Sequence, residues 1–351
     1  MIEIIKDRHN WNKLIKTCSS ADFYHTYDYH MIDKQDDERA VLIHYRDDKV
    51  VVLLPLILRK IEGTEYSDAT SVYGYPGPLI AAYSHDADLK VFQQELNAYF
   101  KEENLVSVFS RLNPFIPHQE VLLKGMGKIL SPGAIINIDL TRDDEHQLKG
   151  YHRRLKTYIN SLRKKYTIDQ TPQEERVDRF IDLYYDNMRR VGAKPRYFFD
   201  RDYFYNIMAS SSFKTALLSA EDMNTGEMVA GSLFTLKNNI VQYHLSGVNE
   251  DHLKLNPVKL LIDEMRMRAT SEGYRFFNLG GGLANRKDSL FEFKLGFSDD
   301  VRSFKVWRYV VQSDVYSKLA QEKHGGCCVY LAGGCPDFFP CYRCESPKIE
   351  F

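Results

Sequence analysis

The sequence predicts an α/β protein in which a mixed sheet flanked by helices is built twice. Three observations predict it. The 351 residues, 44% of them apolar, can bury one large core or two ordinary ones, and the length favours two domains. Short apolar runs with a strand's composition alternate along the chain with stretches of helical period. The elements also fall twice into one order: helices, an antiparallel meander, then strand, helix, strand, helix, strand. No residue-level repeat accompanies that order, so the duplication it implies is one of structure.

In the first copy, helices over about 9–17 and 26–34 precede a hairpin of strands 40–46 and 50–59 turned at Asp47-Asp48. The run 50–58 is the longest apolar one. Crossing a bilayer as a helix takes about 20 residues, so this run is a buried strand and no transmembrane segment is expected. A strand near 71–80, a helix at 88–103, a strand at 105–111, a short helix and a strand at 134–140 complete the copy. The second copy opens with a helix over 143–165, capped by Thr141 or Asp143 at the end of a polar junction. Helices 173–191 and 200–210 follow, then strands 213–220, 228–237 and 240–247, helix 257–272, strand 275–280, helix 288–295 and strand 301–309. In helix 257–272, Asn256 suits the N-cap, Pro257 the first position and Gly273 the stop. Val258, Leu261, Ile262, Met265 and Ala269 form its packing face, and its N-terminus is a natural anion site. A helix over 312–323 leads to a tail whose Tyr330, Phe338, Phe339 and Tyr342 need burial, which the first domain can supply. The expected domains are therefore 1–145, completed by about 311–351, and 146–310.

Lys+Arg 47 against Asp+Glu 48 leaves a formal net charge of -1, so no global field draws the chain to nucleic acid or anionic membrane. MIEIIKDRHN has no signal-peptide character, and a cytoplasmic location is expected. Of the six cysteines, Cys18 stands alone and Cys327, Cys328, Cys335, Cys341 and Cys344 crowd the end. Cys341-Tyr-Arg-Cys344 has zinc-knuckle spacing, but no second C-x-x-C accompanies it and its neighbours are bulky aromatics. Reduced, packed thiols are the expectation. No hydrolase triad, metal-ligand pattern or dinucleotide fingerprint stands out.

The stretch FFNLGGGLANRKDSLFEFKLGF carries the candidate chemistry. Gly280, Gly281 and Gly282 follow a strand, but the residues after them fit neither phosphate-cradling pattern. Helix 288–295, capped by Asp288 or Ser289, sets Leu290, Phe293, Lys294 and Phe297 on neighbouring positions. A lysine on such a stripe either covers apolar surface while its ammonium reaches water, or points into a cleft and stabilises a developing oxyanion. In the second case the bare glycines let an extended acyl or peptide-like group lie along the strand end. On strand 240–247, alternation sets Tyr243 opposite His244 and Ser246. His244 is a candidate acceptor for the proton of an attacking amine, against a satisfied core histidine or a proton relay through substrate. Arg153, Arg154, Lys156, Arg163, Lys164 and Lys165, interleaved with Tyr151, Tyr158 and Tyr166, read as a contact for RNA or pyrophosphate, or as a solvated face. Arg196 is a candidate phosphate or carboxylate clamp.

Through HRRLKTYINSLRKKY, MVAGSLFTL, YHLSGV, NPVKLLIDEMRMRATSEGY, FFNLGGG and DSLFEFKLGF, residues 145–310 resemble the Fem-type aminoacyltransferases and the GNAT-like acyltransferases of the BioF2-like class. VYGYPGPLI and the closing DFFPCYR extend the resemblance to the first half and the tail. It implies tandem GNAT-like (acyl-CoA N-acyltransferase) domains with mixed central sheets. It also implies transfer of an aminoacyl or acyl group to an amine of a peptidoglycan or polysaccharide precursor. On that resemblance Lys294, following Phe293, stabilises the tetrahedral intermediate. Arg154, Arg196, Tyr243, Ser246, Asn256, Gly280, Gly281, Gly282 and Phe293 are the candidate substrate contacts. The loop 248–257 lacks the glycines with which ordinary GNAT enzymes hold the coenzyme A pyrophosphate. No permanently bound cofactor is expected. The co-substrate is an aminoacyl-tRNA or an acyl thioester such as acyl-CoA, and the acceptor a nucleotide- or lipid-linked envelope precursor. A non-catalytic scaffold binding RNA through 153–165 is the reading from another class.

Overall fold

The computed structural model describes residues 1–84, 87–171, 173–324 and 338–344. In chain order the elements are β1 (Ile2–Ile5), α1 (Arg8–Ile15), α2 (Tyr27–Asp33), β2 (Arg39–Arg46), β3 (Val50–Lys60), β4 (Ser67–Thr70), β5 (Leu79–Tyr83), α3 (Leu89–Glu102), β6 (Leu105–Leu112) and α4 (Gln119–Leu123). There follow β7 (Lys128–Asp139), α5 (Asp144–Lys149), α6 (Leu155–Leu162), β8 (Tyr166–Asp169), α7 (Glu174–Arg190), α8 (Arg201–Met208), β9 (Lys214–Asp222), β10 (Met228–Lys237) and β11 (Ile240–Val248). The last are α9 (Val258–Ser271), β12 (Phe276–Gly280), α10 (Ser289–Leu295), β13 (Asp300–Val310) and α11 (Ser313–His324).

Two compact units result, Met1–Pro132 with Phe304–Phe351, and Gly133–Ser303. The division falls inside β7 and β13, not at 145/146 and 310. The polar junction that suggested the first boundary only caps α5, where Asp143 accepts from the His146 N–H at 2.9 Å.

In unit 2 the sheet runs β7-β12-β11-β10-β9-β8. Strands β8 to β11 form an antiparallel meander, α9 crosses over to make β12 parallel to β11, and β7 closes antiparallel to β12. Unit 1 repeats the plan as β1-β2-β3-β4-β6-β13, with β5 paired to β3. There β4 and β6 are parallel and β13 is the antiparallel closing strand. The duplicated order of the sequence is thus a duplicated topology. The core of unit 2 packs Leu261, Met265 and Ala269 of α9 on Phe234, Val241 and Phe277. That of unit 1 packs Phe92, Leu96 and Phe100 of α3 with Val52, Leu54 and Trp307. Each of the aliphatic and phenylalanine side chains larger than alanine, fully buried, contributes about 1.5–3 kcal/mol of transfer free energy.

Three expectations need correction. The strand at 71–80 is a loop between β4 and β5, because Gly74 (φ 130) and Gly77 (φ 62) with Pro76 and Pro78 cannot hold a ladder. The helix over 143–165 is two helices. The His152 N–H, which would bond back into the helix, is taken by the Gly296 carbonyl at 2.9 Å, and the Tyr151 hydroxyl turns inward to Asp263 at 2.8 Å. The short strands β1 (IEII) and β8 (YTID) were not expected, being too short to show a period.

The closing segment packs in unit 1. Tyr342 and Arg343 both reach buried Asp68, and Cys341 and Cys344 are buried with them. Tyr330, Cys327, Cys328 and Cys335 lie outside the described residues. Among the described residues no group of three or more His, Cys, Asp or Glu is placed to hold a metal. No helix among them is long and apolar enough to cross a membrane.

Candidate acyl-transfer site

The site begins with an interrupted ladder. β11 and β12 pair only through Ile240, Val241 and Gln242 with Phe276, Phe277 and Asn278. Beyond that, β11 continues to Val248 along β10, while β12 ends at Gly280 and the chain turns away. The sheet therefore opens between the two strand ends.

The three glycines have separate reasons. Gly280 lies in the left-handed region (φ 77), and its N–H donates to the Asn278 side-chain oxygen at 2.8 Å. A Cβ on Gly281 would stand 2.5 Å from the Ala134 carbonyl of β7, and one on Gly282 would stand 2.4 Å from Asp288 Oδ1. The expectation that all three leave backbone bare for a substrate is corrected: the second and third are bare because the protein's own chain crowds them. Only Gly280 looks into the opening, where a Cβ would meet Lys294 Nζ at 3.2 Å.

Asp288 holds the turn and starts α10, accepting from the Phe291 N–H and the Leu283 N–H, each at 2.9 Å. Burial works to raise its carboxyl, but these N–H bonds outweigh it and hold the group below the usual carboxylate range. Ser289 is then the first helical residue. The buried side of α10 is Phe291 and Lys294, continued by Phe297, whereas Leu290 is exposed, so in the expected stripe Phe291 takes the place of Leu290. Phe293 is half-buried, edge-on to Phe297 at 5.6 Å.

Lys294 is 8% exposed. Its ammonium does not reach out to water: it donates to the Gly281 carbonyl at 2.7 Å and lies 5.9 Å from the centroid of the Tyr243 ring. No other acceptor meets it among the described residues. Burial pushes its pKa down to about 8, with the Asp288 charge acting in the opposite sense. At neutral pH it is a buried cation with N–H bonds to spare.

Tyr243 and Ser246 share a face of β11, with the phenol donating to the serine hydroxyl at 2.5 Å. Simple alternation set Ser246 on the side of His244. A bulge overturns that: Leu245 registers with Leu233 and Tyr243 with Phe234, leaving His244 as the extra residue. His244 instead meets Tyr203 of α8, whose hydroxyl lies 2.7 Å from Nε2, and burial pushes its pKa down to about 4.

Other candidates stay apart from this cluster. Arg154 and Arg196 are exposed. Arg154 precedes α6 without a side-chain capping bond, and Arg196 stacks on Tyr197 at 5.1 Å. Asn256 does not cap α9. It takes a left-handed conformation (φ 48), and its side-chain oxygen is buried without a partner among the described residues. The first turn of α9 bonds inward, Lys259 to the Asn256 carbonyl and Leu260 to that of Pro257, and acidic Glu250 and Asp251 stand before it. The basic run is divided too. Arg163 is committed to Asp263 and Glu264, Tyr151 and Tyr166 are buried, and of the three tyrosines only Tyr158 is exposed.

Sequence reasoning missed Asn278, the second bond of Asp288, and Tyr203. Only Asp288 had a local signal, as a cap.

Residues 147–294, within unit 2, match the family model described as acetyltransferase (GNAT) domain. The fold is similar to that of FemX (TM-score 0.70, 13% identity, covering 90% of this chain and 99% of that one). It is also similar to a protein of unknown function from Bacteroides thetaiotaomicron (TM-score 0.57, 12% identity, 88% and 100%). A third likeness is to a C-terminal domain from Agrobacterium fabrum assigned to lysylphosphatidylglycerol synthetase (TM-score 0.53, 14% identity, 86% and 92%). No curated protein matches in sequence. At these identities the structural likenesses show the GNAT fold, and the family match adds that the chain is an acyltransferase of that type.

Proposed function

We propose that this GNAT-type acyltransferase transfers an aminoacyl or other acyl group to an amine of a cell-envelope precursor, with Lys294 stabilising the oxyanion at the opening between β11 and β12. The observation that carries the reading is the Lys294 ammonium, buried beside Gly280 and anchored by one carbonyl. The acceptor nitrogen attacks the carbonyl carbon of the donor ester or thioester. The carbonyl π electrons move onto oxygen, where the remaining N–H bonds of Lys294 meet them. Collapse then expels the donor's oxygen or sulfur. In a water-poor opening such a fixed cation is worth far more than in solvent. His244 is a poor proton acceptor, since burial pushes its pKa down to about 4 and its Nε2 is engaged by the Tyr203 hydroxyl. The amine proton passes through substrate groups to the leaving atom.

An aminoacyl-tRNA donor, with a nucleotide- or lipid-linked envelope intermediate as acceptor, is supported by the Fem-type resemblance. The likeness to a domain assigned to lysylphosphatidylglycerol synthetase is in keeping with it. So is the start of α9, where inward-turned N–H groups and acidic neighbours suit a coenzyme pyrophosphate poorly. Exposed Arg153, Arg154, Lys156, Lys164 and Lys165 then serve the tRNA. The acyl-CoA reading is favoured by the family match itself. Filter binding of aminoacylated and deacylated bulk tRNA across a salt series separates the two. Selective retention of the charged species is expected, and equal or absent retention removes tRNA as donor. Lys294→Met is expected to lower kcat about 10²–10³-fold with either donor; unchanged turnover would sink the mechanism.

A further inference from the structure

Unit 1 holds a loop, residues 71–78, whose shape is fixed by side chains from several elements. The Tyr73 N–H donates to Asp33 Oδ2 at the end of α2, at 2.8 Å, and the Tyr73 carbonyl accepts from Tyr29 at 2.9 Å. Asn113 donates to the Tyr75 carbonyl at 2.8 Å, Gln119 of α4 to that of Pro78 at 2.8 Å, and His25 Nε2 bonds that of Pro76 at 2.6 Å. Tyr29, His25, Asn113 and Gln119 are all buried. Gly74 has φ 130, and a Cβ there would strike the Tyr24 ring at 2.0 Å. A loop held this firmly is a way of presenting recognition groups without ordering them at the moment of binding.

What it presents is Tyr73, 48% exposed, over Arg111 of β6. The guanidinium lies 5.5 Å from the centroid of the Tyr73 ring and 5.9 Å from that of Phe109, within the range of cation–ring attraction. Its backbone N–H bonds Ser71, but among the described residues none of the guanidinium's N–H donors meets an acceptor. Asp33 acts on the charge of Arg111 without forming an ion pair with it. A half-buried guanidinium clamped between rings, with its donors unspent, is prepared for an acceptor from outside the chain.

We propose that unit 1 carries a carboxylate-binding site, in which Arg111, flanked by Tyr73 and Phe109, holds the planar carboxylate of a ligand through two parallel N–H···O bonds. Charge selects carboxylate over phosphate. Glu38 and Arg111 both act on the charge of Asp33, so the cation's charge is already shared with one carboxyl group. A single carboxylate suits it and a phosphate dianion does not. The site does not depend on the acyl-transfer reading, for it stands or falls with Arg111.

The test is saturation-transfer NMR on the full chain with N-acetylalanine as probe, N-acetylalaninamide as its uncharged twin, and inorganic phosphate followed by its own phosphorus line. Binding of the carboxylate alone is expected. Arg111→Gln should weaken it about tenfold or more, and Arg111→Lys should fail to restore it because an ammonium cannot form the paired bonds. Absent transfer to N-acetylalanine, equal transfer to the amide, equally strong phosphate binding, or binding unchanged in Arg111→Gln would each overturn the proposal. The Arg111 side chain bonds no described residue, so Arg111→Gln should keep the native circular dichroism. If it does not, Tyr73→Ala, at an exposed ring, decides: weakened carboxylate binding supports the site and unchanged binding refutes it.

Discussion

On folding, the Lys294 ammonium exchanges its hydration for one carbonyl, Gly281 O at 2.7 Å, and the face of Tyr243. Its pKa falls to about 8 from 10.5, so between those values the unfolded chain holds a proton the folded chain has lost. Stability therefore rises as pH increases across that interval. Activity runs the other way, because the oxyanion needs the ammonium, and kcat should fall as pH passes about 8. A calorimetric pH series beside a kcat–pH profile reads both slopes; parallel slopes would contradict the assignment. For the same reason Lys294→Met, while losing turnover, should gain about 1–3 kcal/mol at neutral pH, raising the melting temperature by a few degrees. The sequence showed a lysine among phenylalanines but not where its ammonium ends. That is set by the turn at Gly280 and by Asp288, which are contacts between elements.

At the scale of elements, the opening depends on where the parallel pairing of β11 and β12 stops. Asn278 sits at the last paired position, donating to Gln242 at 2.7 Å and accepting from the Gly280 N–H, so it ends the ladder and aims the turn at once. Asn278→Ala should lower kcat about tenfold with little change in KM, since a misplaced Lys294 costs transition-state contact rather than binding. Asn278→Asp, which still accepts from Gly280, should recover part of the loss. Equal rates for the two variants would show that the bond to Gly280 does not matter. Most helices and strands were legible because their periods are long. The bulge at His244 was not, for it is a mismatch between two strands and leaves no trace in either one. The break at Gly150 was equally hidden, since a carbonyl from residue 296 competes for the His152 N–H.

For the whole molecule, the duplicated order was legible and the boundary was not. Polar residues at 141–146 resemble a linker, yet the strand before them belongs to unit 2: Ile138, Phe277 and their neighbours form one core, and Ile136 to Asp139 register against β12. A fragment cut at the polar junction, 146–310, loses β7, bares the β12 edge and leaves Phe277 and Leu279 of the core without Ile136, Ile138 and Leu140. Loss of three large apolar contacts costs several kcal/mol, comparable to the stability of a domain, and an unpaired central strand invites association. The fragment 133–303 keeps that strand. It should unfold in one sharp transition and remain monomeric on a sizing column, while 146–310 should show no cooperative melt or should aggregate. Were both fragments to melt alike, the strand would be dispensable and the unit would begin at the polar junction after all.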